Sequence, residues 1–208
     1  MDPQQILTFA TAAILLALMP GPDNIYVLTE SLINGKKQGI AISIGLALGV
    51  TIHTLAAALG VSLIVQQSAQ AFLIMKIIGA GYLFYLTYQS YKDQSTSDLD
   101  INSDASKSSL EQIRKGFFMN VLNPKVALFF IALLPQFVTS TGWAPLYQMI
   151  GLGLIFMICA LVVMSSIAML AGTLQSYIKN DNFWNGMKWV RTGVLFVLGS
   201  LILLAKKI

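Results

Sequence analysis

The chain has 208 residues, 56% of them hydrophobic and only 11% charged, with a mean hydropathy of +0.71. A soluble domain carries about a quarter of its residues as charges, so this composition excludes a soluble globular protein and describes a polytopic membrane protein. The net charge of +4 is spread over segment ends, a pattern of membrane topology that offers no nucleic-acid surface, and the lone Cys159 excludes an internal disulfide, a CxxC redox pair and a thiol metal cage.

Apolar runs near the twenty residues that cross about 30 Å of hydrocarbon predict six spans, at residues 5–28, 39–65, 71–91, 116–138, 144–174 and 186–205. Residues 6–18 have the length of a signal-peptide core, but Asp2 stands where a positive n-region belongs, and the segment is read as a retained first span. That span is interrupted by Pro20, Gly21, Pro22, Asp23 and Asn24. Each proline removes a backbone donor, so the carbonyls of Leu16 and Leu18 lose their helical partners. Irregular backbone at membrane depth persists only where other helices or a wet cavity satisfy it, and in transporters it lines the substrate site.

The second span carries a small-residue stripe, Gly45, Gly49, His53 and Ala57, at i, i+4 spacing, which lets a neighbouring helix approach closely. His53, the only histidine, has two readings: a side chain hydrogen-bonded across that contact, or a proton-linked group. The third span ends at a polar stretch rich in Ser and Asp that cannot bury a core. It divides the chain into a first three-helix repeat (1–92), a polar cytoplasmic linker (93–115) and a second three-helix repeat (116–208). The run from Met75 to Leu86 aligns without gaps with that from Met187 to Leu198, Gly45–Leu48 resembles Gly151–Leu154, and Pro22 has Pro124 as its counterpart. A duplicated unit of three spans sits upside down in its second copy, so the expected fold is all-α, with two inverted repeats and interrupted helices 1 and 4.

The fourth span repeats the interruption. Pro124 frees the carbonyl of Asn120, and Asn123 is placed to cap a new half-helix with Pro124 at its first position. The alternative is a kinked helix whose amides bond to neighbouring spans, and Lys125 in the same cluster favours a functional break. With spans centred near Leu18, Thr51 and Ala127, a rise of about 1.5 Å per residue puts Asp23, Lys125 and His53 within roughly 7 Å of the midplane. The fifth span is long and reads as tilted or partly interfacial. Nine basic residues (Lys36, Lys37, Lys92, Lys107, Arg114, Lys115, Lys179, Lys188, Arg191) against three (Lys76, Lys206, Lys207) place the odd-numbered loops in the cytoplasm and both termini outside, with the C-terminal lysine pair as the opposing signal.

Together the PGPDN stretch, the Gly35–Gly39 turn, the Gly45/Gly49/His53 stripe, the GFFMNVLNPK segment ending at Lys125 and the Leu133–Phe137 stretch resemble the LysE/RhtB-type amino-acid exporter family over nearly the whole chain. The resemblance implies a bacterial inner-membrane carrier that expels amino acids in exchange for protons, often as a homo-oligomer and without a cofactor. The linker is longer and more polar than that pattern needs.

A half-helix N-terminus carries about half a positive charge and exposed N–H groups. The one at Asn123-Pro124, with Lys125, is expected to hold a substrate carboxylate, while Asp23 and the freed carbonyls hold the ammonium. The start at Pro22-Asp23-Asn24 is the alternative carboxylate site. Substrate-binding candidates are therefore Pro20, Gly21, Pro22, Asp23, Asn24, His53, Asn120, Asn123, Pro124 and Lys125, with Asp23 and His53 as proton-coupling candidates and Gly45 and Gly49 as helix-packing residues. Glu30 is placed too near the cytoplasmic boundary to partner a basic side chain, which favours small neutral or aliphatic substrates such as threonine, homoserine or leucine. A metal-ion permease has a poor ligand set here, a membrane enzyme lacks a nucleophile–base arrangement, and a passive scaffold leaves two broken helices without a purpose.

Overall fold

Pro22 and Pro124 each open a new helix. In the computed structural model, residues 1–61, 69–92, 108–139, 142–178 and 181–204 are described, and these are helical with short connections. The helices are α1 (Pro3–Leu18), α2 (Pro22–Asn34), α3 (Lys36–Ala56, continuing as a π turn at Ala57–Val61) and α4 (Ala69–Lys92). They are followed by α5 (Ser109–Val121), α6 (Pro124–Ala132, then a 3-10 turn at Leu134–Phe137), α7 (Pro145–Ile178) and α8 (Asp181–Leu204). The axis bends by 61° between α1 and α2 and by 53° between α5 and the segment from Pro124 to Phe137. Both bends follow from proline at the first helical position, where its missing N–H is no loss but continuation of the preceding helix is blocked. Between α2 and α3 the chain turns on Gly35 at φ 85°, a conformation a side chain strains.

By length and apolarity α3 with its π turn and α7 qualify as membrane spans, and each bent pair adds one more, giving up to four among the described residues. The helices α4 and α8, of 24 residues each, lie against one another. Outward faces carry rows of exposed aliphatic side chains, such as Leu48, Ile52 and Leu55 on α3 and Leu154, Ile158 and Val162 on α7, as a lipid solvent requires.

Within the polar stretch expected to link the two repeats, α5 already starts at Ser109. Ser108 caps it, accepting from the Glu111 N–H at 3.2 Å, which is the Ser-x-x-Glu start signal that composition alone passes over. Residues 93–107, the segment 62–65, Lys179 and the lysines at 206 and 207 lie outside the described residues.

The helix α3 organises the packing. A Cβ on Gly45 would come within 2.1 Å of the Ile113 carbonyl oxygen, and one on Gly49 within 2.7 Å of Asn120 Cβ. From the other side, a Cβ on Gly116 would meet the Ile42 carbonyl at 2.3 Å. The two backbones therefore touch, and the increasing numbers on both sides show that α3 and α5 run in the same direction. Thr54 against Gly153 and Gly39 against Ala168 make α7 antiparallel to α3, with α2 packed on both. Ser90 beside Thr192 and Phe84 beside Gly199 make α4 and α8 antiparallel. Followed through the short α7–α8 connection, Lys92 lies at the same end of the molecule as Asn34, Lys36 and Ser109. At the opposite end Phe9, Phe129 and Phe130 are fully buried with Phe156 and Phe137, ring centroids 5.0 to 6.1 Å apart.

Candidate substrate site at the crossing of two broken helices

The two breaks meet. Asp23, at the second position of α2, is 4% exposed, and Asn123 Nδ2 donates to its Oδ2. The other end of the same amide, Asn123 Oδ1, accepts from the Lys125 N–H at 3.0 Å and caps α6 as expected. One asparagine thus closes its own helix and ties it to the carboxylate of the other break. Asp23 is not a cap for α2: the N-cap there is Gly21, and no side chain bonds to it.

Lys125 folds back across the first break, donating from Nζ to the Met19 carbonyl at 3.4 Å, and its ammonium charge acts on Asp23. A Cβ on Gly21 would stand 3.3 Å from that Nζ, so glycine there leaves the ammonium room. At the end of α1 the side chain of Asn24 donates to the Ala17 carbonyl at 2.7 Å. The carbonyls that take side-chain donors in this break are therefore those of Ala17 and Met19, rather than Leu16 and Leu18. The remaining amide oxygen of Asn24 is buried with no partner among the described residues, and so is that of Asn120.

His53, 7% exposed, donates from Nε2 to the Asn120 carbonyl at 3.0 Å, the acceptor that Pro124 releases. The Asn123 N–H donates to the same oxygen at 2.9 Å. Gly45 and Gly49, lacking side chains, let α5 approach α3 closely and bring Asn120 beside it.

A cleft of about 780 Å³ opens on this crossing. Pro20, Gly21, Pro22, Asn123, Pro124 and Lys125 line one wall, while Asp23, Asn24, Asn120 and His53 are buried and do not line the cleft. The opposite wall belongs to α4, with Tyr82, Tyr85 and Gln89 prominent, and extends as far as Lys92. Sequence reasoning missed this wall. The signal was present as Tyr82, Tyr85 and Gln89 at i, i+3, i+7 spacing, a polar stripe along one helix face. A second hollow of about 660 Å³ between α1 and α8 is lined almost wholly by hydrocarbon and the Trp189 ring, which gives a zwitterion nothing to bind.

Glu30 is a buried carboxylate on α2. It is 6% exposed, and its Oε1 accepts from Gln112 Nε2 at 2.7 Å and Asn34 Nδ2 at 2.6 Å. Gln112 is fully buried, and Lys115 sits 4.1 Å above the neighbouring Tyr26 ring. Burial follows because α2 packs antiparallel to α3 and faces α5, a pairing that counting residues from the span end does not reveal.

Helices long and apolar enough to cross a bilayer, two of them built from broken halves that meet at buried polar groups beside a cleft, define a membrane translocator. Residues 14–206 match the LysE type translocator family, and the chain belongs to it. Over 209 residues it is 30% identical to an uncharacterized membrane protein of Vibrio cholerae, covering 99% of this chain and 100% of that one. It is 29% identical to a homoserine/homoserine lactone efflux protein of Salmonella typhimurium, with 92% of each chain covered. A leucine efflux protein of Klebsiella pneumoniae is 25% identical, over 83% of this chain and 82% of its own. No solved structure matches.

Proposed function

We propose that the protein is a secondary transporter of the bacterial inner membrane that exports small neutral amino acids from the cytoplasm in exchange for protons. On this reading α4 and α8 are the third and sixth of six spans, the two broken pairs belong to inverted repeats, and both termini lie outside. The observation that carries the reading is the opposition of Asp23 and Lys125 across the meeting point of the two breaks. A zwitterion matches two opposite charges held side by side. Because Asn123 caps α6 and no side chain caps α2, the open start of α2, rather than that of α6, joins Lys125 in holding the carboxylate. Asp23 exchanges its bond to Asn123 for the substrate ammonium.

A carboxylate that binds either an ammonium or a proton makes exchange obligatory. One charge moved across 100 mV is worth about 2.3 kcal/mol, enough to sustain a gradient of nearly fiftyfold for a neutral substrate. The cleft extends toward Lys92, the side the basic residues assign to the cytoplasm, while the phenylalanine cluster closes the other end. Relatives named for efflux of homoserine, homoserine lactone and leucine support a neutral substrate. The test is the purified protein in liposomes, screened for efflux of an amino-acid panel under an imposed proton gradient. Neutral amino acids are expected to leave in a gradient-dependent manner, and faster efflux of lysine than of any neutral amino acid overturns the assignment.

A further inference from the structure

The ammonium and carboxylate are common to every α-amino acid, so the crossing of the breaks cannot choose among them. Selection belongs to the groups that face the crossing from the other wall. Residues 82, 85 and 89 are spaced i, i+3, i+7 and share one face of α4, and all three line the cleft opposite Gly21 and Lys125. The rings of Tyr82 and Tyr85 are 6.0 Å apart and inclined by 39°, a splayed surface in place of a slot that would grip a flat ring. Gln89 Nε2 donates to the Tyr85 hydroxyl oxygen at 2.5 Å. A phenol whose oxygen already accepts still has its own hydrogen to give, and Tyr85 lines the cleft and is 51% exposed.

We propose that Tyr82, Tyr85 and Gln89 of α4 form the subsite for the substrate side chain and favour one bearing an oxygen acceptor over a hydrocarbon of the same shape. This rests on the export reading above. The Tyr85 hydrogen, aimed by Gln89, meets a hydroxyl or carbonyl oxygen on the substrate, and the Tyr82 face packs against the carbons before it. A hydrocarbon in the same place shuts the phenol away from water without an acceptor, and a site built to hydrogen-bond a hydroxyl rejects the analogue that lacks it.

Homoserine and norvaline test this, because they differ only in a terminal hydroxyl replaced by methyl. In liposomes holding the full chain, wild-type efflux of homoserine is expected to exceed that of norvaline by about tenfold at equal loading. Tyr85→Phe, which keeps the ring, is expected to narrow the ratio to within about threefold, because homoserine loses its donor and norvaline no longer strands a phenol hydrogen. Gln89→Leu should fall between the two. Equal rates in the wild type, or an unchanged ratio in a transporting Tyr85→Phe, overturn the subsite and leave the export reading standing. Lys125→Ala separates the two ideas: it should slow both amino acids alike and leave their ratio intact. Absence of any α-amino-acid efflux from the wild type overturns the export reading and the subsite with it.

Discussion

The break between α1 and α2 and the break between α5 and α6 bend the chain by similar amounts, 61° and 53°, and both restart on a proline, yet they treat the freed helix start in opposite ways. At the second, Asn123 caps the new helix with its side-chain oxygen and donates from Nδ2 to Asp23. At the first, the N-cap is a glycine with no side chain to offer, and the ammonium of Lys125 stands 3.3 Å from where its Cβ would be. A binding site assembled from two broken helices therefore has one helix start capped, which fixes the geometry, and one uncapped, which leaves donors for a ligand.

The comparison breaks first if the helices that hold the breaks together separate. Gly45→Val places branched carbons on the Ile113 carbonyl, and overpacking a backbone contact costs about 3 kcal/mol. Loss of monodisperse protein in detergent is expected, against no change for Gly151→Ala, whose added Cβ meets nothing within 4 Å. A stable Gly45→Val protein would mean that α3 and α5 do not touch as described.

Removing the charge at the crossing comes next. Asp23→Asn should abolish both gradient-driven efflux and substrate exchange while membrane insertion stays intact, since a lone carboxylate at this depth costs a few kcal/mol unless it is used. Wild-type transport by this variant would reduce Asp23 to a structural partner of Asn123.

Two smaller changes sharpen the contrast between the breaks. Gly21 has φ −159° and ψ 178°, which any residue adopts, so Gly21→Ser is tolerated by the backbone and supplies the cap that α2 lacks. If the open start of α2 holds the carboxylate, closing it should raise KM about fivefold with little change in thermal stability, corresponding to about 1 kcal/mol. Asn123→Ala opens the capped break instead, and its thermal midpoint should fall in keeping with a lost cap of about 1 kcal/mol. An unchanged KM in Gly21→Ser together with a raised one in Asn123→Ala would move the carboxylate site to α6.

The smallest effect is expected at His53. Its Nε2 shares the Asn120 carbonyl with the Asn123 N–H, so His53→Ala leaves that acceptor bonded. Substrate exchange without a gradient should persist within about threefold, as for the loss of one of two neutral hydrogen bonds. Loss of gradient-driven efflux in His53→Ala, with its retention in Asp23→Asn, would transfer the proton to the histidine.

What could be read from the sequence follows from local covalent chemistry. Proline at 22 and 124 breaks a helix wherever the helix lies, Asn123 before Pro124 caps within its own turn, and Gly45 and Gly49 four residues apart make one smooth stripe. The start of α5 at Ser109 was legible in the same way, from Ser108 and Glu111, and was obscured by a composition averaged over the whole polar stretch. Long-range partners were not legible. Asp23 and Asn123 are 100 residues apart, Glu30 and Gln112 are 82 apart, and His53 and Asn120 are 67 apart.

The sequence by itself thus determined the membrane class, the two breaks and the residues that restart each helix, because proline, glycine and a capping amide act through neighbours a few bonds away. Only the tertiary structure decided that Asp23 faces the second break instead of capping the first, that His53 bonds a carbonyl, that Glu30 is buried and that the tyrosines of α4 wall the cleft. Each of these depends on which helix faces pair and in what register. The glycine crossing of α3 on α5 fixes one such register through backbone shape, and no periodicity within a single helix records where its partner lies.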